Sequence, residues 1–69
     1  MTQYLVIYEQ CEGSWSAHSP DVPGCVAAGA SREEVAQLMA EGIVLHLDLL
    51  RREGLEIPQP TCTAGFVAA

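Results

Sequence analysis

Hydrophobic and polar positions along the chain change period twice, and each change marks an element. From Tyr4 to Gln10 the sequence reads YLVIYEQ, β-branched and aromatic, and predicts a strand. Leu5 and Ile7 share one face, and Tyr4, Val6 and Tyr8 the other, so both faces are apolar. Such a strand is covered on both sides or meets another subunit. CEG with Gly13 predicts a hairpin turn, and SWSAHS the return strand. There Trp15 and Ala17 alternate with Ser14, Ser16 and His18, giving one buried face and one wet face.

The stretch SPDVPGCVAAGASREEV carries unusual backbone control. Pro20 and Pro23 cannot donate ladder hydrogen bonds, so strand pairing stops there. Pro23-Gly24 suits the centre of a type II turn, with glycine at the positive-φ position. CVAAG then predicts a short third strand whose small side chains let a helix lie close, and Gly29 ends it. Ser31 followed by Glu34 is a capping box, and Glu33 and Glu34 favour the positive end of a helix dipole. Val35, Leu38, Met39, Ile43, His46, Leu49 and Leu50 recur at helical spacing as a wide apolar stripe. Leu45 and Leu47 fall beside or opposite it. Arg51 and Arg52 suit the last turn, and Gly54 the αL stop, with Leu55 folding back against the helix. The predicted helix runs from Arg32 to Glu53 and is about 33 Å long. That is long enough to cover three strands and leave surface for a neighbour.

EIPQPTC reads as an extended linker because of Pro58 and Pro60, and TAGFVAA as a last strand. The fold class expected is α+β: a small antiparallel sheet with one long helix on one face, in the order β-β-β-α-β. A chain of 69 residues makes a single domain over residues 1–69, marginal without a staple or a partner. Its apolar fraction of 49% exceeds what so small an interior can hold. Self-association into a dimer or tetramer is the expected remedy.

Charge narrows the function classes. Nine acidic residues against three basic ones give a net charge of −6. Such a surface repels phosphate backbones, so direct nucleic-acid binding is not expected, and it favours a basic protein partner. Cys11, Cys25 and Cys62 are odd in number and widely spaced, without a Cys-x-x-Cys pair. With neither a signal-peptide pattern nor an apolar run of membrane-spanning length, they predict a soluble, cytoplasmic protein.

Candidate chemistry is sparse. His18 and Cys25 flank the Pro-Gly turn and could pair as a thiol-imidazole nucleophile, but neither an orienting group nor an oxyanion donor accompanies them. The plainer reading is a strand histidine and a thiol packed as a small hydrophobe. His46 lacks a second ligand at i±3 or i±4, and reads as a packed or interface histidine. Asp21, between two prolines, reads as a turn aspartate bonding its own backbone, with surface recognition as the other option. Trp15 reads as core. The expectation is therefore a protein that is not an enzyme, with no catalytic residue, metal ligand or cofactor. Acidic positions, chiefly Glu9, Glu12, Asp21 and Glu33, would bind the partner. Pro20, Pro23, Gly24, Ser31, Glu34 and Gly54 would serve as turns and caps.

Taken together, YLVIYEQ, CEGSWSAHS, SPDVPGCVAAGAS, REEV and HLDLLRREGLEIPQP resemble the HicB-like antitoxin family over about residues 3 to 60. The resemblance implies a β-β-β-α-β domain with a partial RNase H-like fold and no nuclease activity. It also implies a partner: HicA, a small basic mRNA endonuclease whose active site the antitoxin covers. Many members add a C-terminal DNA-binding segment, which is not expected in this sequence. The alternatives are an orphan homo-oligomeric domain with another protein partner, or a small enzyme using Cys and His side chains.

Overall fold

In the computed structural model, residues 2–69 are described. Three strands and one helix follow in the order β1 (Ile7–Cys11), β2 (Ser14–His18), β3 (Val26–Gly29) and α1 (Arg32–Arg52). The sheet is antiparallel with spatial order β1-β2-β3. Its register pairs Ile7 with His18, Tyr8 with Ala17 and Gln10 with Trp15, then Ala17 with Ala27 and His18 with Val26. Side-chain alternation therefore puts Tyr8, Ala17 and Ala27 on the helix-covered face, and Ile7, His18 and Val26 on the open one. The hairpin closes through Glu12-Gly13, with Gly13 at φ +69.

The core is small. Ala17, Val22, Cys25, Val35 and Met39 are buried together, and Tyr4, Val6, Tyr8, Trp15, Ala27 and Ile43 pack around them. Val22 and Val35 have no exposed surface at all. Val22 sits in a double turn. Its N–H donates to the Ser19 carbonyl at 3.2 Å, its own carbonyl accepts from Cys25 N–H at 3.2 Å, and Ser19 N–H donates to the Cys25 carbonyl at 3.4 Å. Gly24 at φ +89 makes the second turn the expected type II. Ser19 is buried, and its Oγ donates to the Leu5 carbonyl at 2.8 Å, which ties the turn to the chain entering β1. Sequence periodicity does not find Val22, because a turn residue between two prolines belongs to no periodic face.

The helix begins at the expected N-cap, with Ser31 Oγ accepting from Glu34 N–H at 3.1 Å, but the Glu34 carboxylate turns to Gly29 rather than completing the box. Arg32 stacks over the Tyr8 ring at 4.2 Å, joining the helix start to β1. At the other end Gly54 N–H donates to the Arg51 carbonyl at 3.1 Å, and Leu55 N–H to the Leu50 carbonyl at 2.9 Å. With Gly54 at φ +69 this is a Schellman stop. The Leu55 side chain stays exposed and does not fold back. The apolar stripe is also narrower than predicted. Val35, Met39 and Leu47 are buried, whereas Leu38, Leu45 and Leu49 face outward. Leu47, assigned beside or opposite the stripe, belongs to the inward face. The sheet has only three strands, too narrow to cover the whole stripe.

Two strand expectations change. β1 begins at Ile7, because Tyr4–Val6 enters as extended chain without ladder pairing. TAGFVAA is not a strand: residues 55–69 after the helix form no regular element, and Phe66 and Val67 are exposed. The physical reason is local. Pro58 and Pro60 lack N–H donors, the N–H groups of Thr61 and Cys62 are taken by a carboxylate, and only two large apolar side chains remain beyond them. The described order is thus β-β-β-α.

A core this small makes each member count. Val22→Ala removes two methyl groups from a site with no exposure, and should lower stability by about 2–3 kcal/mol. That is a large share of the roughly 3–5 kcal/mol a domain of this size commonly holds. Urea unfolding should show a clear drop in midpoint, while Val67→Ala in the exposed tail should leave it unchanged.

Candidate partner-binding surface and the tail clamp

The acidic positions fall at the two ends of the sheet and, for Glu9, in the middle of β1. The register pairs Cys11 with Ser14, and Trp15 with both Gln10 and Gly29. The β1-β2 hairpin tip, the end of β3 and the start of α1 therefore lie at one end. Glu12 is in that tip, and Glu33 and Glu34 are in the first helical turn. Glu9 stands on the open sheet face of β1, opposite Ser16. Glu9, Glu12 and Glu33 are exposed, and among the described residues their side chains make no hydrogen bond or salt bridge. Glu34, whose N–H is capped by Ser31, folds its carboxylate over Gly29: a Cβ there would lie 2.7 Å from Oε1. The absence of a side chain at Gly29 leaves room for that carboxylate.

Asp21 lies at the opposite end and does something else. Its Oδ2 accepts from Thr61 N–H at 3.1 Å and from Cys62 N–H at 3.0 Å, and its Oδ1 accepts from Thr61 Oγ1 at 2.9 Å. The expectation of a turn aspartate bonded to its own backbone is corrected: its partners are 40 and 41 positions away. Neighbouring prolines leave few local donors, so the carboxylate turns outward. These hydrogen bonds, the one from Cys62 N–H foremost, hold the Asp21 carboxyl below its ordinary 3.8. The same carboxylate pushes the Cys62 thiol up. A second contact supports the clamp, with Tyr4 Oη donating to the Pro58 carbonyl at 2.6 Å. The tail thus lies beside Gln3–Leu5.

The remaining candidates do not converge. Cys25 is buried under the helix with Sγ 3.8 Å from the Gly42 carbonyl, and burial pushes its thiol up. His18 neighbours the buried Ala17 in β2 and faces the open side of the sheet. The two cannot form a nucleophile pair. His46 is half-buried on α1, and among the described residues no three His, Cys, Asp or Glu side chains are grouped to hold a metal. Cys11, Cys25 and Cys62 are free thiols. Trp15 packs against the core as expected. No described helix is long and apolar enough to cross a membrane.

The sequence that builds this scaffold matches a known family. Residues 4–69 match the family described as HicB_like antitoxin of bacterial toxin-antitoxin system, and the chain belongs to that family. It is also 30% identical over 59 residues to Antitoxin HicB 2 of Photorhabdus laumondii, covering 86% of this chain and 42% of that protein. The chain therefore spans less than half the length of this curated relative. No solved structure matches.

The clamp gives a signed pH dependence. A carboxyl held low in the folded protein contributes fully above its unfolded value, and the contribution is lost as pH falls through the folded value. Thr61 and Cys62 amides should be protected from hydrogen exchange at neutral pH, and lose protection as pH drops below about 3.8. Asp21→Ala should remove that protection at every pH and leave the β2 amides protected.

Proposed function

We propose that this chain is an antitoxin that binds a small basic HicA-type mRNA endonuclease and masks its active site, with exposed acidic residues of the hairpin, the open sheet face and the first helical turn forming the contact. One observation carries the reading: Glu9, Glu12 and Glu33 are exposed and uncommitted, on a chain of net charge −6. A cationic nuclease groove must attract phosphate, and an array of carboxylates competes for the same charges. Carboxylates without intramolecular partners lose no internal hydrogen bonds on docking. Glu9 adds an acid to the open sheet face, where Ser14 and Ser16 can donate hydrogen bonds to a partner. In this reading Asp21 serves indirectly, by holding the tail, and is removed from the contact set. Family membership supports the toxin-antitoxin context.

The test is binding of the purified chain to the basic protein encoded beside it, followed by calorimetry and stopped-flow mixing. Replacing both Glu9 and Glu12 with Lys should slow association about tenfold or more at low salt, and flatten its dependence on ionic strength. RNA cleavage by the toxin should then resume at antitoxin concentrations that silence it with the unaltered chain. An unchanged association rate would remove these carboxylates from the interface. Absence of binding by the unaltered chain would remove the toxin reading itself.

A further inference from the structure

The outer edge of β1 is unpaired, and we infer that an extended strand of the basic partner adds to the sheet there, carrying a lysine or arginine opposite Glu9. The inference rests on the toxin-binding reading and names how that partner is held.

Hydrogen bonds and register together identify the free backbone groups. Ser19 N–H donates to the Cys25 carbonyl at 3.4 Å, so the backbone of Ser19 points towards the β3 side. Successive residues of a strand turn their N–H and C=O groups to opposite sides. Ala17 and Trp15 therefore bond β3, and His18, Ser16 and Ser14 bond β1. The β1 partners of those three are Ile7, Glu9 and Cys11, whose N–H and C=O groups are thus spent on β2. Those of Tyr8 and Gln10 point outward, away from the sheet. The Leu5 carbonyl, which accepts from Ser19 Oγ, keeps the same alternation on the segment entering β1.

Among the described residues no backbone group bonds to the outward side of Tyr8 and Gln10. The tail is held beside Gln3–Leu5, short of Tyr8, by Tyr4 and Asp21. Its prolines lack N–H groups, and its Thr61 and Cys62 amides are taken by Asp21, so that stretch cannot supply a ladder. The helix packs chiefly over β2 and β3.

Charge selects the occupant. Glu9 lies in the middle of the edge strand and Glu12 follows at its end, both exposed and without partners among the described residues. Antiparallel pairing with a second β1, centred on the strand, would set Glu9 against Glu9, and like charges directly opposite destabilise a sheet. A basic strand turns the same position to attraction. Because Glu9 bonds towards β2, the residue opposite it on an added strand occupies a non-hydrogen-bonded position, where side chains come closest, with Cβ atoms about 5 Å apart. A lysine or arginine there reaches the Glu9 carboxylate on the open sheet face. Tyr8 and Gln10 then supply the main-chain bonds, and Glu9 the preference for a basic strand.

The test is amide hydrogen exchange of the full chain, free and bound to the basic protein encoded beside it. Binding should slow the Tyr8 and Gln10 amides about tenfold or more, and leave Ile7, Glu9 and Cys11, already bonded to β2, nearly unchanged. That alternation separates strand addition from simple covering, which slows neighbouring amides alike. Gln10→Pro removes an outward N–H and no ladder bond, so it should keep the circular dichroism spectrum and lower affinity about tenfold. Should that variant unfold, the alternation in the unaltered chain decides. Binding with Tyr8 and Gln10 unprotected, or with all of β1 slowed alike, overturns the strand addition and leaves the toxin reading standing. Absence of binding overturns both. Protection of Tyr8 and Gln10 in the free chain that grows with concentration assigns the edge to a second copy, and also overturns the inference.

Discussion

The fold rests on Val22, inserted from a double turn into the sealed centre of the core. Around it four parts of the chain meet. Ser19 anchors the turn to the segment entering β1, the ladder of β2 ends there and that of β3 begins, Val35 of the helix packs into the same cluster, and Asp21 next door grips the tail. A 69-residue chain cannot spread its burial over many side chains. It concentrates burial where the backbone is stiffest, between two prolines and a positive-φ glycine. Pre-set backbone angles lower the entropy lost on ordering the turn. Fully burying a valine then contributes on the order of 1.5–3 kcal/mol.

Much of this architecture was legible in local chemistry. Strand alternation gave the sheet faces, Pro23-Gly24 the type II turn, Ser31 the helix start and Gly54 its end. Each of those signals is a short-range steric or hydrogen-bonding rule. What escaped was long-range. Periodicity cannot assign Val22, because a turn has no period. It placed Leu47 outside the stripe and Leu49 within it, because the inward arc of a helix depends on the width and twist of the sheet beneath. The last strand failed for a related reason: Asp21 takes backbone donors that a ladder would need, and nothing near Thr61 in sequence announces it. The same carboxylate was assigned to its own turn, because local rules consider only local donors.

The candidate site was legible in charge but not in position. Composition revealed an acidic surface, and the register then separated Glu9, Glu12 and Glu33 from Asp21. Carboxylates with no internal partner are available to a visiting cation. A carboxylate accepting three hydrogen bonds is already committed. Likewise the register set His18 and Cys25 on opposite faces of the sheet, although seven positions separate them in sequence. Proximity along a chain of strands is a poor guide to proximity of side chains, since one step along the strand reverses the face.

The uncommitted acidic end lies away from the turn that holds the core together, and this has an evolutionary consequence. Glu9, Glu12 and Glu33 contribute no described hydrogen bond or buried contact, so substitutions there incur little penalty in foldedness. A lineage could therefore redraw the pattern of charge at that end one residue at a time, tracking drift in whatever it meets, without passing through unfolded intermediates. Such freedom is scarce in a domain with so slim a margin of stability. Here it arises because the residues free to change stand on exposed positions of β1, the hairpin and the first helical turn, apart from the turn that holds the chain together.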